Sequence, residues 1–153
     1  MIIMIQIHPD LSSNSQQAFT LFENSKFGEK KSGKIIYSIY EAKYLVETKK
    51  AESKKKIRLN KQQQNNYLVF KDLRKKGYVI KTGLKFGCEF RVYKKKDKHA
   101  SYLLEITTDK QKITLKEFIS KNRISHSTGK TLLLAIIDSQ KDITYYNVGW
   151  IKP

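Results

Sequence analysis

The spacing of apolar residues divides the chain into a weakly patterned first part and a strongly patterned second part. In the second part, Tyr67, Phe70 and Leu73 recur at helical spacing ahead of Gly77, a typical residue just past a helix end. This pattern predicts a helix from Asn60 or Lys61 to Gly77. Runs of β-branched and aromatic residues then predict five strands, with a helix over Leu115–Arg123 before the fourth. The strands are Tyr78–Lys81, Glu89–Lys94, Ser101–Thr107, Thr131–Asp138 and Ile143–Ile151.

The first part contains two clear local signals. The apolar start, Met1–Ile7, is typical of a strand, and Ser38 stands three residues before Glu41, which predicts a capped helix over about Ile39–Thr48. A basic, polar stretch follows, and we place a domain boundary near Asn60. We therefore expect an α/β (α+β) chain. A small N-terminal α/β domain spans residues 1–60, and residues 61–153 form a C-terminal domain whose mixed β-sheet is flanked by helices.

The net charge is the most informative feature of the composition. Lys and Arg number 31 against 14 Asp and Glu, which gives a formal net charge of +17 at pH 7. A chain this basic repels itself, and a polyanionic partner such as a nucleic acid relieves that repulsion. Charge alone names no activity, so a basic RNA-binding protein without catalysis remains an open alternative.

Other parts of the composition limit the possible compartment and metal chemistry. Cys88 is the only cysteine, so neither an internal disulfide nor a thiolate metal site is expected. The apolar start lacks the basic region and cleavage site of a signal peptide. No apolar run approaches the roughly 20 residues that span a bilayer. We expect a soluble, cytoplasmic protein that needs no metal or other cofactor.

Two short motifs resemble known sites. Ser127–Thr131 is similar to the end of a P-loop, but Ile124 stands where that loop needs glycine, and a strand instead of a helix is predicted after Lys130. Nucleotide binding is therefore not expected. Asp10 with Glu29 and Lys31 loosely fits a metal-dependent nuclease, although Glu29 and Lys31 lie in a Gly- and Lys-rich stretch typical of a loop. This second alternative also stays open.

Three further residues are candidates for acid–base chemistry at one edge of the predicted sheet. Tyr93 ends the second predicted strand, and His99 opens the third after a run of lysines. A tight turn between them would bring both side chains together, and Lys130 stands at the start of the fourth strand. Each position is equally typical of packing or solvation, so the pattern alone assigns these residues no function.

Several ordered segments resemble the archaeal type of tRNA-splicing endonuclease. Tyr67–Tyr78 is similar to the helix that opens the family's catalytic domain. The other matching segments are Glu41–Glu47, Gly83–Tyr93 with its Lys-Phe-Gly motif, His99–Leu103, and Arg123 with Gly129–Ala135. The resemblance runs from about Tyr37 to the C-terminus. Glu89 replaces the family's usual aspartate, and Cys88 replaces a small residue.

The resemblance implies a metal-independent catalytic subunit that cuts precursor tRNA at intron boundaries. Tyr93 is implied as the base that takes the ribose 2′-OH proton, His99 as the acid, and Lys130 as the cation that stabilises the phosphorane. The products would be a 2′,3′-cyclic phosphate and a 5′-OH. Arg123 and Trp150 are implied as the flat side chains that grip an unstacked base.

The resemblance also implies an assembly of four similar subunits or domains, held by sheet edges and by an acidic loop inserted into a basic cleft. The matching connection, Thr107–Thr114, carries Asp109 but also Lys110 and Lys112, so it is a poor acidic plug. We expect a paralogous structural subunit to supply the acidic loop in a two-plus-two heterotetramer. Apolar residues near Tyr145, Tyr146 and Ile151 are candidates for the subunit contact or for the core. A non-catalytic structural subunit would typically lose the Tyr93, His99 and Lys130 set.

Overall fold

The computed structural model describes residues 4–153, which form two compact units. One unit ends at Asn60, and the other runs from Lys61 to Pro153. The start of the strand predicted over Met1–Ile7 lies outside the described residues, and its last part forms β1. Within residues 4–153, no helix combines the length and the apolar character needed to cross a membrane.

The first unit is built from short strands and two helices around a small core. Its elements, in chain order, are β1 (Ile5–Ile7), β2 (Ser12–Ser13), α1 (Gln16–Ser25), β3 (Glu29–Lys31), β4 (Lys34–Ile36), α2 (Ile39–Glu47) and β5 (Ala51–Ser53). Strands β1 and β5 pair in parallel, and β2, β4 and β3 form an antiparallel sheet. The core includes Ile5, Ile35 and Leu45.

The capped helix of the first unit is confirmed. Ser38 is the N-cap of α2, its hydroxyl accepting from the Glu41 amide at 3.2 Å, while the Glu41 carboxylate accepts from the Ser38 amide at 2.9 Å. The second oxygen of Glu41 accepts from the Gly28 amide at 3.0 Å. This buried carboxylate therefore caps α2 and fastens it to the chain ahead of β3.

The second unit is a five-stranded mixed sheet with a helix on each face. Its elements are α3 (Lys61–Lys75), β6 (Val79–Thr82), a 3₁₀ turn (Leu84–Phe86), β7 (Phe90–Tyr93), β8 (Tyr102–Thr108), α4 (Leu115–Ser127), β9 (Thr131–Ile137) and β10 (Ile143–Val148). The strand order is β10-β9-β8-β7-β6, and only β8 and β9 are parallel. The predicted mixed sheet flanked by helices is confirmed.

Side-chain contacts show which helix covers each face of this sheet. Phe70 of α3 packs on Phe90 of β7, with ring centroids 6.1 Å apart. On the opposite face, the Lys121 ammonium of α4 lies 2.7 Å from the carboxylate of Glu105 on β8. Since α4 connects the parallel strands β8 and β9, its C-terminal end returns the chain to the start of β9.

Candidate active site

One end of the five-stranded sheet gathers three of the motif segments. The register pairs Val92 of β7 with Tyr102 of β8, and Tyr102 with Thr131 of β9. Backbone hydrogen bonds extend this row, since the Ser101 amide donates to Val92 O at 2.9 Å and the Thr131 amide donates to Ser101 O at 3.0 Å. Tyr93 of β7 and Lys130, just before β9, each lie one residue from this row, at the same end of two strands that flank β8.

His99 lies in the loop that joins β7 to β8 at this end of the sheet. The prediction that His99 opens β8 is wrong, because the strand begins three residues later at Tyr102. The loop first makes a turn in which the Asp97 amide donates to Lys94 O at 3.1 Å and Lys96 has a φ of 73°. The chain therefore needs several more residues to reach β8, and His99 is exposed within them.

Lys130 is held at the junction between α4 and β9. Its amide donates to Ser125 O at 2.8 Å, and its Nζ donates to Thr128 O at 3.0 Å. The Nζ atom also lies 5.1 Å from the centroid of the Phe86 ring. Helix α4 runs to Ser127, four residues beyond the predicted end, which brings the helix directly up to this lysine. The strand predicted after Lys130 is confirmed, in agreement with the rejection of a P-loop.

The sequence assigned no role to Phe86, although this residue lies within the Lys-Phe-Gly motif. Its 3₁₀ turn belongs to the connection between β6 and β7, so the contact with Lys130 joins two distant parts of the chain. The motif was a signal that this turn matters. Nothing in the local pattern indicated which side chain the ring would meet.

Cationic side chains lie over the aromatic rings near the site. The Arg91 guanidinium carbon is 5.8 Å from the Tyr93 ring centroid, and the Arg91 Nε donates to Thr82 O at 2.8 Å. The Lys94 ammonium lies 5.8 Å from the Tyr102 ring centroid. These contacts place positive charge beside the row, which suits the binding of a polyanion.

Arg123 lies within helix α4, and Trp150 packs against the same helix from a later segment. Arg123 is an exposed residue within α4. The prediction that Trp150 lies in the last strand is wrong, because β10 ends at Val148, whose carbonyl accepts from the Asn122 side chain at 3.1 Å. This bond directs the chain towards α4, where the Trp150 ring packs against the His126 ring in a tilted arrangement, with centroids 4.2 Å apart. His126 follows Arg123 by three residues and is therefore its neighbour on the helix surface.

The two departures from the family pattern lie just before β7. Glu89 accepts a hydrogen bond of 2.9 Å from the buried side chain of Asn66, which links the residue before β7 to α3. Burial and the neighbouring Glu105 raise the pKa of Glu89. Cys88 is buried, and this burial, with a further contribution from Glu105, raises the pKa of its thiol to about 11. Cys88 therefore behaves as a small core residue and not as a nucleophile.

The acidic residues of the metal-dependent alternative are placed differently from the expectation. Glu29 and Lys31 lie on strand β3, not in a loop, because Ser32 and Gly33, with φ values of 51° and 74°, form a tight turn that pairs β3 with β4. The Asp10 carboxylate accepts from Lys34 at 2.8 Å, and this bond, with another from Ser12, lowers its pKa to about 2. Within residues 4–153, no group of three or more His, Cys, Asp and Glu side chains is arranged to hold a metal ion.

Comparisons with known proteins place these residues in context. A sequence model described as tRNA intron endonuclease, catalytic C-terminal domain, matches residues 63–145. A tRNA-splicing endonuclease of Thermococcus kodakarensis is 34% identical, with 99% of each chain covered. Proteins of the same name are 34% identical in Pyrococcus abyssi, over 86% of this chain and 85% of theirs, and in Methanothermobacter thermautotrophicus, over 87% of each.

Proposed function

Because the chain belongs to the tRNA intron endonuclease family, we propose that it is the catalytic subunit of a tRNA-splicing endonuclease. In this proposal it is a cytoplasmic RNA endonuclease that cuts precursor tRNA at intron boundaries, and residues 61–153 form its nuclease domain. The observation that carries the proposal is the arrangement at one end of the sheet. Tyr93 and Lys130 each lie next to the row of paired residues that crosses β7, β8 and β9, and His99 lies in the loop between β7 and β8.

The chemistry of these side chains suits cleavage by an internal nucleophile. Tyr93, as phenolate, takes the proton of the ribose 2′-OH, and the 2′-oxygen attacks the adjacent phosphorus. The bond from phosphorus to the 5′-oxygen breaks as the 2′,3′-cyclic phosphate forms. His99, as imidazolium, gives its proton to the departing 5′-oxygen, which leaves as a 5′-OH. Proton exchange with water then returns Tyr93 and His99 to their starting forms.

Lys130 supplies positive charge where negative charge gathers on the phosphorane. Its side chain is half-buried, and an ammonium that is partly shielded from water stabilises such charge more strongly than an exposed one. The reaction as written requires no metal ion, because Lys130 supplies the cation. DNA lacks the 2′-OH that acts as the nucleophile, so we expect no cleavage of DNA.

The assembly completes the proposal. The loop after β8 carries Asp109 together with Lys110 and Lys112, and the chain has a net charge of +17. Such a loop is poorly suited to fill a basic cleft on a like-charged copy. We therefore propose that a paralogous structural subunit supplies the acidic loop and that two copies of each chain form a heterotetramer.

Incubation of an intron-containing precursor tRNA with the purified protein tests this function. The reaction is run in EDTA, with and without a partner subunit, and the ends of the products are analysed. We expect a 2′,3′-cyclic phosphate and a 5′-OH at both intron boundaries. RNA binding without cleavage, even when the partner is present, would favour the non-catalytic alternative. Loss of cleavage in EDTA would favour a metal-dependent nuclease.

A further inference from the structure

The ring of Phe86 and the carbonyl of Thr128 together confine the side chain of Lys130. The Nζ atom lies 5.1 Å from the Phe86 ring centroid and donates to Thr128 O at 3.0 Å. An aromatic face attracts an ammonium ion because the ring quadrupole is negative there. One N–H of the ammonium thus donates to a carbonyl, and another side of the group faces the ring. The remaining N–H groups can therefore point in only a limited range of directions.

The backbone of the turn is constrained before and after Phe86. The Phe86 amide donates to Gly83 O at 2.8 Å, and Gly87 ends the turn with a φ of 68°, a conformation that favours glycine. Gly83 is buried, and a Cβ at that position would collide with the Cys88 sulfur. The backbone is therefore constrained on both sides of Phe86, because Gly83 allows a close approach to buried Cys88 and Gly87 adopts the left-handed conformation that ends the turn.

Phe86 differs from its neighbours on the same turn. The side chain of Leu84 is 79% exposed, whereas Phe86 is half-buried and meets the ammonium of Lys130. An aromatic ring that faces an ammonium gains an electrostatic attraction that an aliphatic side chain lacks. The contact also joins the loop between β6 and β7 to the junction between α4 and β9, so it links two of the motif segments that meet at the candidate site.

We propose that Phe86 is a positioning residue for Lys130, and this inference rests on the proposed function. A lysine side chain has four rotatable bonds and loses much rotamer freedom when it is fixed. The ring and the Thr128 carbonyl restrict that freedom before RNA binds. The ammonium is therefore already directed towards the phosphorane when the reaction begins, and less ordering is needed in the transition state.

Three variants of the turn test the inference in the assembled enzyme. Phe86→Leu keeps an apolar side chain but removes the aromatic face, Phe86→Tyr keeps the face, and Leu84→Ala is the control on the exposed side of the turn. We expect Phe86→Leu to lower the single-turnover cleavage rate about fivefold, the scale of a partly desolvated cation–π contact. Phe86→Tyr should restore the rate, Leu84→Ala should leave it unchanged, and none should alter the Kd for precursor tRNA.

A double-mutant cycle separates positioning from a general structural role. If Phe86 acts through Lys130, Phe86→Leu should have no further effect in the Lys130→Ala background. A ring-current measurement gives a second readout without RNA. In protein with ¹³C-labelled lysine, the ε-methylene protons of Lys130, assigned by their loss in Lys130→Ala, should resonate upfield and lose that shift in Phe86→Leu.

The outcomes distinguish this inference from the function on which it rests. Full activity of Lys130→Ala would refute the proposed role of Lys130 itself. If Lys130→Ala is inactive, the inference is overturned by a Phe86→Leu enzyme of normal rate, by effects that multiply in the double variant, or by a Lys130 resonance that does not move. A reduced rate in Phe86→Leu that Phe86→Tyr does not restore would assign Phe86 to packing alone.

Discussion

The imidazole of His126 lies against the indole of Trp150, with ring centroids 4.2 Å apart and an angle of 56° between the planes. The Asn122 side chain fixes the approach of this segment by donating to Val148 O at 3.1 Å. Trp150 nevertheless remains 46% exposed. The indole is thus supported by the last turn of α4 on one side while part of its surface stays open to a ligand.

We predict that Arg123 and Trp150 each contribute to holding an unstacked base. Arg123→Ala and Trp150→Ala should raise the Kd for precursor tRNA about tenfold, within the range known for base stacking. Trp150→Phe should have a smaller effect, because it keeps an aromatic face. Trp150 is the only tryptophan, so its fluorescence should be quenched on RNA binding. Unchanged affinity in both alanine variants would refute the prediction.

Mixed assemblies test whether this pair reaches the active site of the opposite catalytic subunit. Chains carrying Tyr93→Phe are co-assembled with chains carrying Arg123→Ala. One site per assembly then combines an intact Tyr93 with an intact Arg123 from the other chain, and cleavage should partly return. Mixtures as inactive as their parents would show that Arg123 serves its own subunit or has no such role.

We predict that Tyr93→Phe, His99→Ala and Lys130→Ala each lower the single-turnover cleavage rate by roughly 10²-fold or more while the protein still folds. This is the scale of lost acid–base or electrostatic catalysis. His8→Ala and Lys116→Ala are matched controls, since each changes the same residue type at an exposed position. Circular dichroism checks folding. A His99→Ala enzyme with full activity would rule out the assigned general acid.

We predict that the purified chain alone is not the complete enzyme. Native mass spectrometry should show a two-plus-two heterotetramer only after a paralogous subunit is added, and cleavage should rise with assembly. The physical reason is the shortage of acidic residues in the loop after β8, where Lys110 and Lys112 surround Asp109. A stable tetramer of this chain that cuts precursor tRNA at full rate would contradict the prediction.

The hydroxyl of Tyr145 donates to the Asp72 carboxylate at 2.6 Å, and this bond ties β10 to α3. We predict that Tyr145→Phe lowers the free energy of unfolding by about 1 kcal/mol, below the roughly 1.5–3 kcal/mol typical of a bond to a charged group, because Asp72 is partly exposed. Tyr146→Phe is the control, since Tyr146 is the next residue on β10 and its side chain is 52% exposed. Urea unfolding at pH 7 measures both, and equal losses would contradict the assignment.

The same bond should make part of the stability depend on pH. Burial alone would raise the pKa of Asp72, but hydrogen bonds from Lys76 and Tyr145 outweigh it, so the pKa is lowered. A lowered carboxyl pKa gives stability that is present above the unfolded value of about 4 and is lost as pH falls through the folded value. The difference in the free energy of unfolding between wild type and Tyr145→Phe should therefore become smaller in acid.

We predict that Glu41→Ala destabilises the first unit by about 2–3 kcal/mol, because it removes a capping box and leaves the Gly28 amide without its carboxylate partner. Glu47→Ala is the control on the same helix, since Glu47 makes a partly exposed ion pair with Lys43 at 3.2 Å. Thermal unfolding followed by circular dichroism measures the change. A Glu41→Ala protein as stable as the control would show that neither bond matters.

Local signals in the sequence were sufficient for the long elements. The Ser38 and Glu41 capping box marked α2, and the apolar spacing before Gly77 marked α3, because caps and periodicity act between residues only a few positions apart. The same reasoning missed α1 and the strands β2 to β5. These strands have two or three residues, too few to show a period of two, and their partners come from elsewhere in the chain.

The sequence by itself determined the family, through ordered motifs, and the types of side chain available for acid–base chemistry. Only the tertiary structure decided where those side chains lie. Sheet register brings the ends of β7, β8 and β9 into one row, and this places Tyr93 and Lys130 at the same end of the sheet. The contacts of Phe86 with Lys130 and of His126 with Trp150 join residues far apart in the chain. Such contacts depend on how strands pair and helices pack, and no local pattern encodes that geometry.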